Sequence, residues 1–244
     1  MDVWGLTDPG NVRKQNQDTF HTERLCEDGL LAVVCDGMGG AKAGNVASKL
    51  AADVFTEEVK RSFSPDKTPE EAERVLRNAA TLANISVFEH SQLSEDFSGM
   101  GTTLVACLIY PRAILVINIG DSRAYHFSPD GVQCVTTDHS VVEMMVRRGE
   151  LTPEEAKSHP SKNLITRAVG TGPQVEADVF RVKAEKSDCM LLCSDGLSNL
   201  MADEEMLFEV VHGAKLDDCC QRLLEIAKDR GAPDNVTAVL ISLS

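Results

Sequence analysis

Residues 103–135 read TLVACLIYPRAILVINIGDSRAYHFSPDGVQCV, and the order of strands and turns in this stretch decides the fold class. Runs 103–109, 114–119 and 123–127 are short and rich in β-branched, aromatic and apolar side chains. Pro129-Asp130-Gly131 then turns the chain into a fourth run, 132–135. Strands joined by hairpins lie antiparallel. Outward from this centre, 30–35 is a continuous apolar run, and 179–183, 190–194 and 236–243 are further strand candidates.

Helical periodicity fills the rest. In 46–63 one row is Val46, Leu50 and Val54 and the next is Ala47, Ala51 and Phe55. In 70–92 the apolar face is Val75, Leu76, Ala79, Leu82 and Ala83. Helices are also expected at 140–148, 203–212 and 216–229, while 151–162 is polar and turn-rich. Strands and helices do not follow strict βαβ order. The expected class is therefore α/β in the α+β sense: two mostly antiparallel sheets packed together with helices outside, in one domain over 1–244.

The chain has 244 residues and a net charge of −14, which argues against gripping a nucleic-acid backbone. No apolar run reaches the roughly 18 residues that would span a membrane, and no secretory leader is read at the N-terminus. Eight cysteines occur without a C-x-x-C pair, and Cys35, Cys107 and Cys193 sit in apolar runs. That pattern suggests free buried thiols and a reducing, cytoplasmic location.

Aspartates recur at the ends of expected strands: Val34-Cys35-Asp36-Gly37, Ile119-Gly120-Asp121, Cys193-Ser194-Asp195-Gly196, and Asp234 before the last run. Asp18 closes Asn16-Gln17-Asp18. Singly, each Asp-Gly is a turn former, and Asp130-Gly131 is taken as only that. As a set, carboxylates on one rim repel unless cations lie between them, and Mg²⁺ or Mn²⁺ suits oxygen ligands. Glycine after Asp36 lets a ligand approach the backbone.

These residues resemble the metal-dependent serine/threonine protein phosphatases of the 2C type, in their short bacterial form. The markers run in order: Arg13-x-x-Asn16-Gln17-Asp18; Asp36-Gly37-Met38-Gly39-Gly40 with Gly44 and Ala47-Ser48; Gly101-Thr102-Thr103; Gly120-Asp121-Ser122-Arg123; Asp138-His139-Ser140; Leu164-Ile165-Thr166-Arg167-Ala168; Ser194-Asp195-Gly196; and Asp234-Asn235-Val236-Thr237. The resemblance implies a four-layer α-β-β-α sandwich with a Mn²⁺/Mg²⁺ pair at one rim, and hydrolysis of phosphoserine or phosphothreonine by direct attack of a water between the metals. It implies that Asp36, the Gly37 carbonyl, Asp195 and Asp234 hold the pair, that Asp121 with Asp195 holds a third ion, and that Asp18 orients metal-bound water. Arg13 would bind the substrate phosphate.

Expected partners are phosphorylated proteins, including a Ser/Thr kinase that the enzyme opposes, with no nucleic acid and no membrane segment; a monomer is expected. Met38 stands where animal and plant relatives carry a histidine, leaving His139, His159 or metal-bound water as candidate proton donors. Residues 149–163 are expected to form a flap beside the site. Competing readings are a pseudophosphatase, a phosphatase for one partner-switching regulator, and a calcineurin-like enzyme; the last lacks its Gly-Asn-His-Glu motif here.

Overall fold

The computed structural model describes the chain except residues 40–42, 214 and 244, so Gly40 of the glycine-rich marker lies outside the described residues. In chain order the first elements are β1 (Asp2–Asp8), β2 (Asp18–Cys26), β3 (Gly29–Met38), α1 (Ala43–Ser62) and α2 (Pro69–Ser91). There follow β4 (Gly101–Thr102), β5 (Leu104–Tyr110), β6 (Ala113–Ile119), β7 (Arg123–Ser128), β8 (Gly131–Cys134), α3 (Val141–Arg147) and α4 (Pro153–Ser158). The chain closes with β9 (Asp178–Val182), β10 (Cys189–Cys193), α5 (Asp195–Ser198), α6 (Asp203–His212), α7 (Cys219–Asp229) and β11 (Val236–Ser242).

One sheet has the order β1-β11-β10-β7-β8 and the other β2-β3-β5-β6-β9, with β4 pairing on β3. The pairings are antiparallel, as the hairpins of 103–135 require. The central strands have no polar face because both of their faces are covered. On β3, Leu30, Ala32 and Val34 pack into the gap between the sheets, against Met190 and Leu192 of β10 and Val239 and Ile241 of β11. The alternate residues Leu31, Val33 and Cys35 pack under α1 and α2. On β10, Leu191 and Cys193 likewise face α7. A period of two with both sets apolar reads in sequence as an unbroken apolar run.

The helices obey the same demand. The row Ala47, Ala51, Phe55 of α1 is fully buried, whereas Val46, Leu50 and Val54 flank it. On α2 the buried face is Ala72, Leu76, Ala79, Ala83 and Val87. Leu82, expected on that face, is 39% exposed. At 100° per residue it lies roughly a quarter-turn from the face centre. Thr68 starts α2 with a capping box closed by Glu71.

Besides the two-residue β4, the strands β1 and β2 escape the sequence reading. Both are edge strands with mostly half-buried side chains, so neither carries a long apolar run. The turn-rich stretch 151–162 contains a short helix, α4, begun by a Thr152–Glu155 capping box.

Phe55 is the largest side chain of α1 in the helix-sheet layer and has no solvent exposure. Phe55→Ala is expected to lower stability by about 3–5 kcal/mol, read from the urea midpoint at unchanged slope. A loss near zero would mean that this layer repacks freely.

Candidate metal centre

Strand parity decides where the aspartates point. Asp18 of β2 lies directly opposite Asp36 of β3, so the two share a face. That face is the one on which Val34 fills the gap between the sheets. Ser194 follows Leu192 with the same parity, and Thr237 precedes Val239 likewise. The hydroxyls of Ser194 and Thr237 reach across from the opposite sheet and donate to Asp18 Oδ2 at 2.7 and 2.6 Å. The candidate centre is thus the open end of the inter-sheet gap, one layer above its apolar filling.

The backbone of Asp36 is held by two threonines. Its N–H donates to Thr103 Oγ1 at 2.9 Å, and Thr102 Oγ1 donates to its carbonyl at 2.8 Å. Thr103 Oγ1 also shares a 2.7 Å hydrogen bond with Ser122, beside Asp121. These threonines tie the Asp36 strand to the Asp121 turn. At Gly37 a Cβ would lie 2.1 Å from the Gly44 carbonyl oxygen and 2.7 Å from that of Gln17, so only glycine passes there. Gly196, after Asp195, has the same need: its Cβ would meet the Asn235 carbonyl at 1.9 Å.

Asp195 opens α5, and Asn199 donates to its Oδ2 at 3.1 Å. Asp234 accepts Arg13 Nη2 at 2.7 Å, a half-exposed ion pair. Arg13 also feels the charges of Asp36 and Asp195, so it belongs to the same cluster. Its loop is anchored by Asn235, whose side chain accepts Gln17 N–H at 2.8 Å and donates to the carbonyls of Pro9 and Gln15 at 3.0 Å. Asn235 therefore does more than cap a local turn. Its partners identify it as the residue that docks the Arg13 loop beside Asp234.

Arg123 and Arg167 are each held in an ion pair. Arg123 grips Asp138 through Nε and Nη2 at 2.9 and 2.7 Å, and Arg167 meets Asp178 at 3.0 Å. His139 has both ring nitrogens engaged, Nδ1 with the Gly120 N–H and Nε2 with Asp178, so neither is free for a substrate. Beside the carboxylates opens a pocket of about 460 Å³, walled by Asp121, Arg123 and Asp195 on one side and by Ala156, Lys157 and Lys162 on the other.

The electrostatics are those of a crowded anionic site. Burial, then repulsion from Asp18, Asp195, Asp121 and Asp234, pushes Asp36 well above the usual carboxylate range. Burial pushes Asp18 up to about 6 against the pull of the Thr237 and Ser194 hydroxyls. Burial and repulsion from Asp195 push Asp121 up to about 7. Asp195 is raised by burial and by Asp234. Among the described residues, no three His, Cys, Asp or Glu side chains already converge as a finished ligand set. The carboxylates interact across the gap rather than close upon one point.

The residues fit a divalent cation on two observations. Asp18 Oδ1 is buried without a hydrogen-bond partner. The donors are hard oxygens whose repulsion a cation would reverse.

Two sheets packed face to face carry a carboxylate cluster at one rim of the gap, and its donors are hard oxygens. The family model for protein phosphatase 2C matches residues 11–240. The serine/threonine phosphatase stp of Listeria innocua is 35% identical over 235 residues, covering 96% of this chain and 93% of its own. The crystal structure of serine/threonine phosphatase Stp1 from Staphylococcus aureus superposes with a TM-score of 0.91 at 34% identity, covering 100% of this chain and 95% of that one. The catalytic domain of PstP, in complex with 2 manganese ions, superposes at 0.83 with 32% identity, covering 98% and 96%. The chain belongs to the protein phosphatase 2C family, a metal-dependent family, and is a serine/threonine protein phosphatase acting on phosphoproteins.

The carboxylate shifts have a sign. A carboxyl whose folded pKa is raised makes the folded state bind more protons than the unfolded one. Its ionisation therefore costs stability progressively as pH rises from about 4 through about 7. Removing the most crowded charge should relieve this. Metal-free Asp36→Asn is expected to melt about 2–4 °C above metal-free wild type at pH 7, with the gap closing towards pH 4. A variant that melts lower at every pH would refute the crowding account.

Proposed function

We propose that the protein hydrolyses phosphoserine and phosphothreonine in phosphorylated proteins, using two Mn²⁺ or Mg²⁺ ions and a weaker third. The observation that carries this reading is the cluster of mutually repelling carboxylates, Asp18 buried and the others partly exposed at the rim, beneath a half-exposed arginine. Asp36, the Gly37 carbonyl, Asp195 and Asp234 would hold the ion pair, and Asp121 with Asp195 the third ion. Bound there, the ions would supply Lewis-acid chemistry, lowering the pKa of a water and offsetting phosphate charge.

The chain's own residues do the rest. Asp18, fixed by Ser194 and Thr237, has one oxygen left to orient a water. Arg13 is exposed enough to exchange a carboxylate for a substrate phosphate, which its planar fork fits. No thiol competes as nucleophile among the nearby cysteines: burial pushes Cys35 and Cys193 far above the usual thiol range, and both face helices rather than the gap. Met38 carries no proton. With His139 fully engaged, a water is the donor for the leaving group that these surroundings favour.

The catalytic unit is read as spanning 1–244 and acting as a monomer. A phosphatase of this kind needs a source of phosphorylated serine and threonine, so opposition to a Ser/Thr kinase is part of the proposal. Cytoplasmic action is supported by eight cysteines that are all free of disulfides. No helix among the described residues is long and apolar enough to cross a membrane. Residues 149–163 supply one wall of the pocket and are proposed as the flap that shapes substrate choice.

Wild type and Asp195→Ala, stripped with chelator, would be assayed for phosphate release from a phosphothreonine peptide with and without Mn²⁺. Release that requires Mn²⁺ and falls at least about 100-fold in the variant (roughly 2.7 kcal/mol of barrier) is expected. Peptide binding without release, with or without Mn²⁺, would overturn the assignment in favour of a non-catalytic binder. Exchanging 149–163 for the same segment of a relative should change the ranking of phosphopeptides; an unchanged ranking would remove the flap from the account.

A further inference from the structure

The turn carrying Asp121 is governed by a residue on another segment. Gly120, the residue before Asp121, has φ of +109°. Its N–H donates to His139 Nδ1 at 3.1 Å. Its carbonyl accepts the His139 backbone N–H at 2.9 Å and the Asn118 side-chain amide at 3.2 Å. One residue thus takes both backbone polar groups of Gly120. The Gly120 donor forces Nδ1 to be an acceptor, so the ring is neutral with its proton on Nε2.

Nε2–H then faces Asp178 Oδ2 at 3.2 Å, while the other Asp178 oxygen takes Arg167 Nη1 at 3.0 Å. Arg167 Nη1 also stands 3.2 Å from Nε2, a donor facing a donor that shares the same carboxylate. The His139 carbonyl accepts Thr166 N–H at 2.7 Å. Its neighbours grip the same surroundings. Asp138 holds Arg123, two residues beyond Asp121. Ser140 caps α3 and bridges to Ile165. The tripeptide 138–140 therefore contacts both flanks of Asp121 and the segment that follows the proposed flap.

The geometry assigns His139 as a positioning residue: as the neutral Nε2–H tautomer it sets the Gly120–Asp121 turn, and through it the affinity of the Asp121–Asp195 pair for a divalent cation. This rests on the reading of Asp121 as a ligand. Replacing a residue that orients a metal ligand through hydrogen bonds costs roughly 10- to 100-fold in metal affinity.

The test uses the full chain with His139→Asn, His139→Gln, His139→Ala and Asp121→Ala. Asparagine places Oδ1 where Nδ1 stands and keeps the Gly120 acceptor. Glutamine reaches only the Nε2 position. In metal-free protein, ¹⁵N NMR would read the imidazole tautomer and the hydrogen exchange of the Gly120 amide. Calorimetric titration with Mn²⁺ would read the tight and weak classes of site. Expected are the Nε2–H signature in wild type, faster Gly120 exchange in the Gln and Ala variants but not in Asn, and weak-class affinity reduced about tenfold in Gln and Ala only. Tight-class binding stays at the wild-type value in all three.

An Asn variant as impaired as Gln, or Gly120 exchange unchanged throughout, would overturn the clamp. Should His139→Ala fail to fold, the Asn–Gln contrast still decides. Should Asp121→Ala titrate like wild type, the ligand reading of Asp121 falls, and Gly120 exchange alone judges the clamp.

Discussion

Repulsion among five aspartates at the open end of the inter-sheet gap is the constraint around which the rest of the structure is arranged. Like charges at a partly desolvated rim interact more strongly than charges in open water, because less solvent lies between them to screen the field. The fold holds each carboxylate by a different means. Asp18 is gripped by hydroxyls of the opposite sheet, the Asp36 backbone by two threonines, and Asp234 by Arg13. The site is therefore organised in advance for positive charge, which is what a phosphatase that must accept a phosphate dianion among carboxylates needs.

The apolar layers below do more than stabilise. Their packing fixes strand parity, and parity determines which side chains face the gap. A one-residue slip of β3 would turn Asp36 towards α1 and bring Cys35 to the rim. Such a slip would expose Leu31 and Val33 to the wrong layer, so core packing and site geometry are one constraint. The same parity buries Cys35 and Cys193 against helices, which leaves the cluster with oxygen chemistry only.

A second network, centred on residues 138–140, surrounds Asp121 from the far side of the pocket. Arg123–Asp138 and Arg167–Asp178 are ion pairs with partly buried members, arranged so that cation and anion alternate away from the crowded carboxylates. Thr103 and Ser122 join the Asp121 turn to the Asp36 backbone.

Much of this was legible in the residues themselves. Central strands covered on both faces announce themselves as apolar runs, and aspartates at their ends stand out by contrast. Hairpin spacing pointed to antiparallel sheets, and the marker series brought Arg13, Asp18, Asp36, Asp121, Asp195 and Asp234 to notice. Edge strands β1 and β2 were not legible, since half-buried strands mix polar and apolar side chains. Leu82 was misplaced because its helical row lies at the margin of the buried face. What only the tertiary structure decided is the set of residues that hold the aspartates. Ser194 and Thr237 meet Asp18 across 176 and 219 residues of chain, and Asn235 docks a loop 218 residues away. Local periodicity reports which face a side chain takes, because that depends on a few neighbouring residues. A hydrogen bond between sheets depends on register and stacking along the whole chain, and leaves no local trace.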